Sequence, residues 1–223
     1  MRLAATMLLV CLLAGCSAPH PTGAPPPTAG DPTPPAPVPE ALAPGDVRLA
    51  VGDSWAYAIV DANGTDQGTQ QTAVVELTGT TAILSTRTDG GSRSSTSRLE
   101  ARQGDLAIVS LQSDLGFTIV YDPPLPLVLP ASDHAQQGHA TLKGPTGNLA
   151  ADVNLTVKFL GPDRVAVPAG NFEALRYHIV VSTGGAASTR QESDVWFAAA
   201  VKAPVKTVEA NGRTEALTGY HVG

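Results

Sequence analysis

The chain has 223 residues, with 14 Lys and Arg against 20 Asp and Glu for a formal net charge of −6. It holds no basic cluster, so a nucleic-acid partner is not expected, since gripping phosphates requires a concentrated positive face. Two cysteines, Cys11 and Cys16, are too few for a disulfide framework or a thiolate-built metal centre.

Residues 1–15 have the three parts of an export signal: a charged start at Met1-Arg2, an apolar run from Leu3 to Leu13, and small residues before a cut. The run is too short to stay in a bilayer as a helix, which takes roughly 20 apolar residues. In Leu13-Ala14-Gly15-Cys16 a leucine stands three places before the cysteine with small residues between, and this resembles the lipobox of bacterial lipoproteins. The resemblance implies cleavage before Cys16, a diacylglyceryl thioether on its sulfur and acylation of the new amino group, palmitate being the usual type of chain. Only a thiolate is nucleophilic enough near neutral pH to take the lipid. Two acyl chains anchor stably where one is marginal, so the mature chain is expected on a membrane surface without crossing it. Ser17 stands where inner-membrane retention is associated with aspartate, which points to the outer membrane in a cell with two membranes.

Residues 16–46 follow as a lipidated cysteine and a linker. From Pro19 the stretch is rich in Pro, Ala, Thr and Gly, with Pro25-Pro26-Pro27 and Pro34-Pro35 and almost no large apolar side chain. It cannot build a core. A polyproline II segment of this length, at roughly 3.1 Å per residue, would reach about 80 Å, and it reads as a semi-rigid tether.

Residues 47–223 form one domain with ample apolar material. Strands are predicted at Gly52 to Val60, Thr69 to Leu77, Thr81 to Thr88, Ser92 to Ala101, Asp105 to Gln112 and Phe117 to Tyr121, separated by Asp61-Ala62-Asn63-Gly64, Gly79, Asp89-Gly90-Gly91 and Gln103-Gly104. Ser92 to Ser97 is polar enough to suggest an edge or solvent-lying strand. The run Asp122-Pro123-Pro124-Leu125-Pro126-Leu127-Val128-Leu129-Pro130 should interrupt the ladder, because proline donates no hydrogen bond, and cross a sheet end or plug a barrel mouth. His134 and His139 read as part of a polar loop. Asp152 to Phe159 alternates cleanly, with Val153, Leu155, Val157 and Phe159 on one face. Gly161-Pro162-Asp163 is predicted to turn the chain into Arg164 to Val167. Pro168-Ala169-Gly170-Asn171 then turns it into Phe172 to Ser182, which Gly184-Gly185 ends. The last strands are Thr189 to Phe197, Pro204 to Ala210 and Arg213 to Val222, the final pair joined by Asn211-Gly212. No stretch keeps a helical period. The fold class is all-β, an antiparallel meander forming a curved sheet or half-open barrel.

Four sets of residues, Gly52-Asp53-x-Trp55-x-Tyr57, Pro123-Pro124-Leu125-Pro126-Leu127, Val165-x-Val167-Pro168-Ala169-Gly170-x-Phe172-x-Ala174 and Trp196-Phe197, resemble in that order the uncharacterised bacterial envelope domain related to TapB-like proteins. The resemblance spans nearly all of residues 47–223 and implies a curved antiparallel sheet or half-barrel, exported and often lipidated, with no known reaction. The sequence departs from the pattern at Ala140-Thr141, where a tryptophan is expected, and at Ala198-Ala199-Ala200, where a Gly-rich turn is.

No catalytic set emerges. Ser54 follows Gly52-Asp53 in a strand, whereas a serine nucleophile elbow needs a strand-to-helix turn. Asp61, Asn63 and Asp66 lack the spacing of a calcium loop and suit a hairpin better. His134, His139, His178 and His221 are scattered, and no metal site or cofactor is expected. Glu192 and Asp194 share a strand face and read as solubilising groups. Trp55, Tyr57, Phe172, Tyr177 and Trp196 are candidate core residues, or, in the sharper reading, the lining of an apolar cavity. The expected role is non-catalytic: a lipid-anchored binding or interaction module for an apolar ligand or an envelope protein. The alternative is a carrier of lipid or lipoprotein resembling the lipoprotein-localisation half-barrels, although no amphipathic helix is present to serve as their lid.

Overall fold

Alternating apolar and polar side chains put one face of a strand in a core and the other in water. The computed structural model shows how far that alternation carries, describing residues 47–90, 93–103, 106–126, 129–145, 147–184 and 188–223. The signal segment, Cys16 and the tether lie outside the described residues, as do Gly91, Gly104, Leu127, Val128 and Gly185.

Twelve strands occur in chain order: β1 (Ser54–Val60), β2 (Asp66–Thr78), β3 (Thr81–Gly90), β4 (Arg93–Arg102), β5 (Ala107–Ser113), β6 (Thr118–Pro126), β7 (His134–Gly144), β8 (Gly147–Val167), β9 (Gly170–Thr183), β10 (Thr189–Ala198), β11 (Ala203–Glu209) and β12 (Thr214–His221). Each pairs antiparallel with its neighbours in sequence, and β1 also pairs with β12 from Ser54–His221 to Val60–Thr214, so the meander closes into a barrel. The only helix among the described residues is the single turn Ala199–Val201. The all-β meander is as predicted, and closure removes the free edges that a half-barrel would keep. Accordingly β4 is not an edge: it pairs with β3 and with β5, and only its outward residues, such as Thr96 and Arg98, are exposed.

Three predicted breaks are strand. β7 runs through the stretch read as a loop around His134 and His139; Ala140 is its one fully buried residue, so a hydrophobic pattern has almost nothing to show. β6 continues to Pro126, with Leu125 and Pro126 opposite Ile108 and Ala107, because residues 121–124 arch out of the β5 ladder. The chain passes so close to β7 there that a Cβ on Gly138 would come within 2.7 Å of both the Asp122 carbonyl oxygen and Pro123 Cδ. Gly161-Pro162-Asp163 is no turn but a bulge inside β8, opposite Arg176, Leu175 and Ala174, with Gly161 at φ +103° absorbing the extra residue.

The long β8–β9 hairpin has a particular task. β11 and β12 pair only over Lys206–Val208 against Thr214–Ala216, and below that the seam opens. The hairpin tip reaches this gap: the Ala169 N–H donates to the Leu217 carbonyl at 3.0 Å, and Phe172 packs edge-on against Tyr220 with ring centroids 5.9 Å apart. Val165 and Ala174 are buried beneath it. The Val-Pro-Ala-Gly-x-Phe turn therefore closes the barrel wall.

The end at which the chain enters, at Val47, is sealed. Val47, Leu49, Leu106, Leu129 and Val201 are all buried there. Alternate residues of the first strand fasten the cover. Asp53 accepts hydrogen bonds from Ala50 N, Lys202 Nζ and Gly223 N at 2.9, 3.1 and 2.9 Å; Trp55 Nε1 donates to Val201 O at 2.7 Å; Tyr57 Oη donates to Pro204 O at 3.0 Å. The residues of Gly-Asp-x-Trp-x-Tyr thus pin the Val201–Pro204 corner across the barrel end. From the opposite wall the Tyr177 hydroxyl donates to Leu129 O at 3.0 Å, holding the Pro-rich crossing in place.

Candidate functional site

Inward side chains do not fill the barrel. A cavity of about 480 Å³ remains along its axis, within the range of roughly 300–1,000 Å³ seen for small-molecule sites. Its lower part, above the sealed end, is walled by Leu49, Trp55, Leu106, Ile108, Leu125, Leu129 and Tyr177. The middle is set by Tyr57, Leu84, Leu99, Leu155 and Val195. Towards the other end the wall turns polar, with Gln70, Thr72 and Thr86 on β2 and β3, and Ser193, Thr207, Glu209 and Asn211 on the facing side. The lining at the sealed end is buried, whereas Arg190, Gln191, Ala210 and Asn211 at the other end are exposed, so the cavity opens away from Val47.

The β2–β3 side of the polar wall is bonded within itself. Thr72 and Thr86 share a hydrogen bond of 3.0 Å, and Gln70 accepts one from Thr88 at 3.4 Å. At the mouth the Arg190–Glu192, Arg213–Glu209 and Arg213–Glu215 pairs close at 2.6, 2.7 and 2.9 Å. The Arg190 guanidinium holds the Glu192 carboxyl below the usual carboxylate range. Burial pushes the Tyr177 phenol up to about 12, and burial followed by the nearby Glu215 carboxylate pushes Tyr57 higher still. Both phenols stay protonated in any physiological medium and act as hydrogen-bond donors.

Of the five aromatic residues singled out in the sequence, Trp55, Tyr57 and Tyr177 line the cavity, each at least nine-tenths buried. Phe172 sits on the hairpin tip over the β11–β12 seam. Trp196 lies between Val195 and Phe197, which face the cavity, so the period of two turns its indole to the outside. There its N–H donates to Asp163 at 2.8 Å, with the Arg176 guanidinium 4.7 Å and the Lys206 ammonium 5.2 Å from the ring centroid. These two aromatics hold the wall together and do not reach the cavity.

The remaining candidates are structural. Asp61 closes the β1–β2 turn by accepting hydrogen bonds from Asn63 N and Thr65 N at 2.8 and 2.9 Å. His139 pairs with Asp152 on the exposed outer surface. His178 lies between Asp194 and Glu192, at 2.8 and 3.8 Å, on a strand with neighbours on both sides, so these carboxylates do not guard an edge. Among the described residues no three His, Cys, Asp or Glu side chains are grouped as metal ligands would be.

No family model matches the chain, and no curated protein matches it. Solved structures do. A protein of Bacteroides fragilis described as exported, with a YmcC-like fold, superposes with a TM-score of 0.56 at 12% identity, over 78% of this chain and 97% of that one. A protein of Parabacteroides distasonis described as a lipoprotein gives 0.55 at 13% identity, over 78% of this chain and 96% of that one. The likeness is one of fold.

Proposed function

We propose that this protein is a lipid-anchored envelope lipoprotein whose barrel is a non-catalytic binding module, holding an apolar ligand in its central cavity. The observation that carries this reading is the unfilled apolar interior. Close-packed cores leave few voids larger than a water molecule, whereas here about 480 Å³ stays open inside the wall and reaches solvent at one end. The mouths of β-barrels are a recurrent place for small-molecule sites. A carrier of the half-barrel type is less well supported, since this wall closes on itself and the only described helix is one turn long.

Filling the space tests the reading. Leu99→Trp and Leu84→Trp each project a large ring into the cavity. Each is expected to weaken uptake of a fluorescent apolar probe by the delipidated full-length chain at least about tenfold, with thermal unfolding shifted by only a few degrees. Undiminished uptake in both variants would place the probe elsewhere and remove the basis for a central site.

The address rests on Leu13-Ala14-Gly15-Cys16 and the apolar run before it, supported by two structural neighbours described as exported or as a lipoprotein. The TapB-like resemblance and an outer-membrane position belong to the same proposal. Cells fed radiolabelled palmitate are expected to label the wild-type chain in the membrane fraction and to leave Cys16→Ser unlabelled. Label retained by the serine variant would refute attachment at that sulfur.

A further inference from the structure

The cavity changes character along its length, and that gradient specifies the occupant more closely. Apart from the Lys202 ammonium, which Asp53 and Gly223 hold, its lower wall offers carbon and neutral phenol and indole groups whose N–H and O–H are already bonded to the main chain, as in Trp55 and Tyr177. The upper wall offers hydroxyls, among them Ser193 and Thr207. β11 lines the cavity from Ala203 to Glu209, about 20 Å along the strand and roughly 15 Å along the axis once a barrel's usual tilt is included. That depth accepts an extended apolar chain laid along the axis.

The charge at the mouth sets the head. Glu209 and Glu215 on the inward faces of β11 and β12 stand against the one guanidinium of Arg213, which both carboxylates engage. Deeper in, the Lys202 ammonium is held at the sealed end by Asp53 and the Gly223 carbonyl, at 3.1 and 2.6 Å. An incoming carboxylate or phosphate would meet an excess of negative charge, in a partly enclosed site where water screens it poorly. A hydroxylated neutral head meets only partners it can bond.

We infer that the occupant is an amphiphile with an apolar tail and an uncharged, hydroxyl-bearing head, seated tail-first so that the head lies between β10 and the β11–β12 turn. This rests on the binding reading above and narrows it to a ligand class. The test compares two probes with the same tail, monotetradecanoylglycerol and tetradecanoate. Both are applied below their micelle-forming concentrations to the full-length chain, which is immobilised, delipidated and washed free of detergent. The glycerol ester is expected to bind at least about tenfold more tightly. Glu209→Gln, which removes one carboxylate from the mouth, is expected to raise tetradecanoate binding several-fold. Equal or tighter binding of tetradecanoate by the wild-type chain overturns the inference and leaves the cavity reading intact. Binding of neither probe overturns the cavity reading and the inference with it.

Discussion

Replacing Asp53 by Asn is expected to destabilise the barrel by about 3 kcal/mol, a fall of roughly 6–12 °C in melting temperature for a domain of this size. The carboxylate is only 1% exposed and serves donors from three separate parts of the chain: Ala50 before the first strand, Lys202 after the helical turn, and Gly223 beyond the last strand. An amide keeps one acceptor oxygen and turns its NH₂ towards groups that are all donors. The loss has a pH signature. Burial by itself raises the Asp53 pKa, but the main-chain donors at Gly223 and Ala50 and the Lys202 ammonium outweigh it and hold the carboxyl below its ordinary value. A carboxylate with a depressed folded pKa contributes its full stability above the unfolded value of about 3.9. That contribution drains away as pH falls through the folded pKa. Denaturant midpoints between pH 6 and pH 2 should therefore drop more steeply for the wild type than for Asp53→Asn. Asp194 adds the same slope to both proteins, since Arg176 and His178 hold it low against its partial burial. Parallel curves for the two proteins would show that the Asp53 charge does not hold the sealed end.

Gly68→Ala is expected to be at least as damaging, by about 3 kcal/mol or more, from strain and overlap together. β2 bulges here against β1, with Ile59 opposite Gly68 and Val60 opposite Asp66, and Gly68 adopts φ +117°. A Cβ at that position would sit 1.9 Å from the Asp89 carbonyl oxygen and 2.7 Å from Gly90 Cα, main-chain atoms that cannot rotate away. Gly64→Ala is the matched control. Its φ is +79° with open space around it, so it carries the conformational term alone, about 1 kcal/mol. Chemical denaturation of the two variants separates the effects, and equal losses would mean that the neighbouring β3 backbone yields to the methyl group.

The architecture was legible wherever one face of a strand is buried and the other wet. Val153, Leu155 and Val157 show it best, and all three are buried as the alternation requires. It faded where the inward face is itself mixed. β7 has a single deeply buried residue, and β6 carries prolines through a stretch where the ladder to β5 arches away. Closure was not legible, because pairing of β1 with β12 joins residues at opposite ends of the domain and leaves no local mark. The cavity was half legible. Trp55 and Tyr57 announced themselves by spacing, but whether a large inward ring packs against another side chain or against empty space depends on the girth of the barrel. The partners of those rings at Val201 and Pro204 had no signal beyond the alanine-rich run before them, and nothing local separates Phe172 and Trp196, which serve the outer wall, from rings that face inward.

Because its last strand completes the ring begun by its first, the domain has no finished cross-section until β12 is made. A nascent sheet ending before Thr214 carries a bare rim on β1 and another on β11, each a template for pairing with a second molecule. Keeping such rims apart during synthesis is a burden that a barrel of this connectivity places on whatever escorts the unfolded chain.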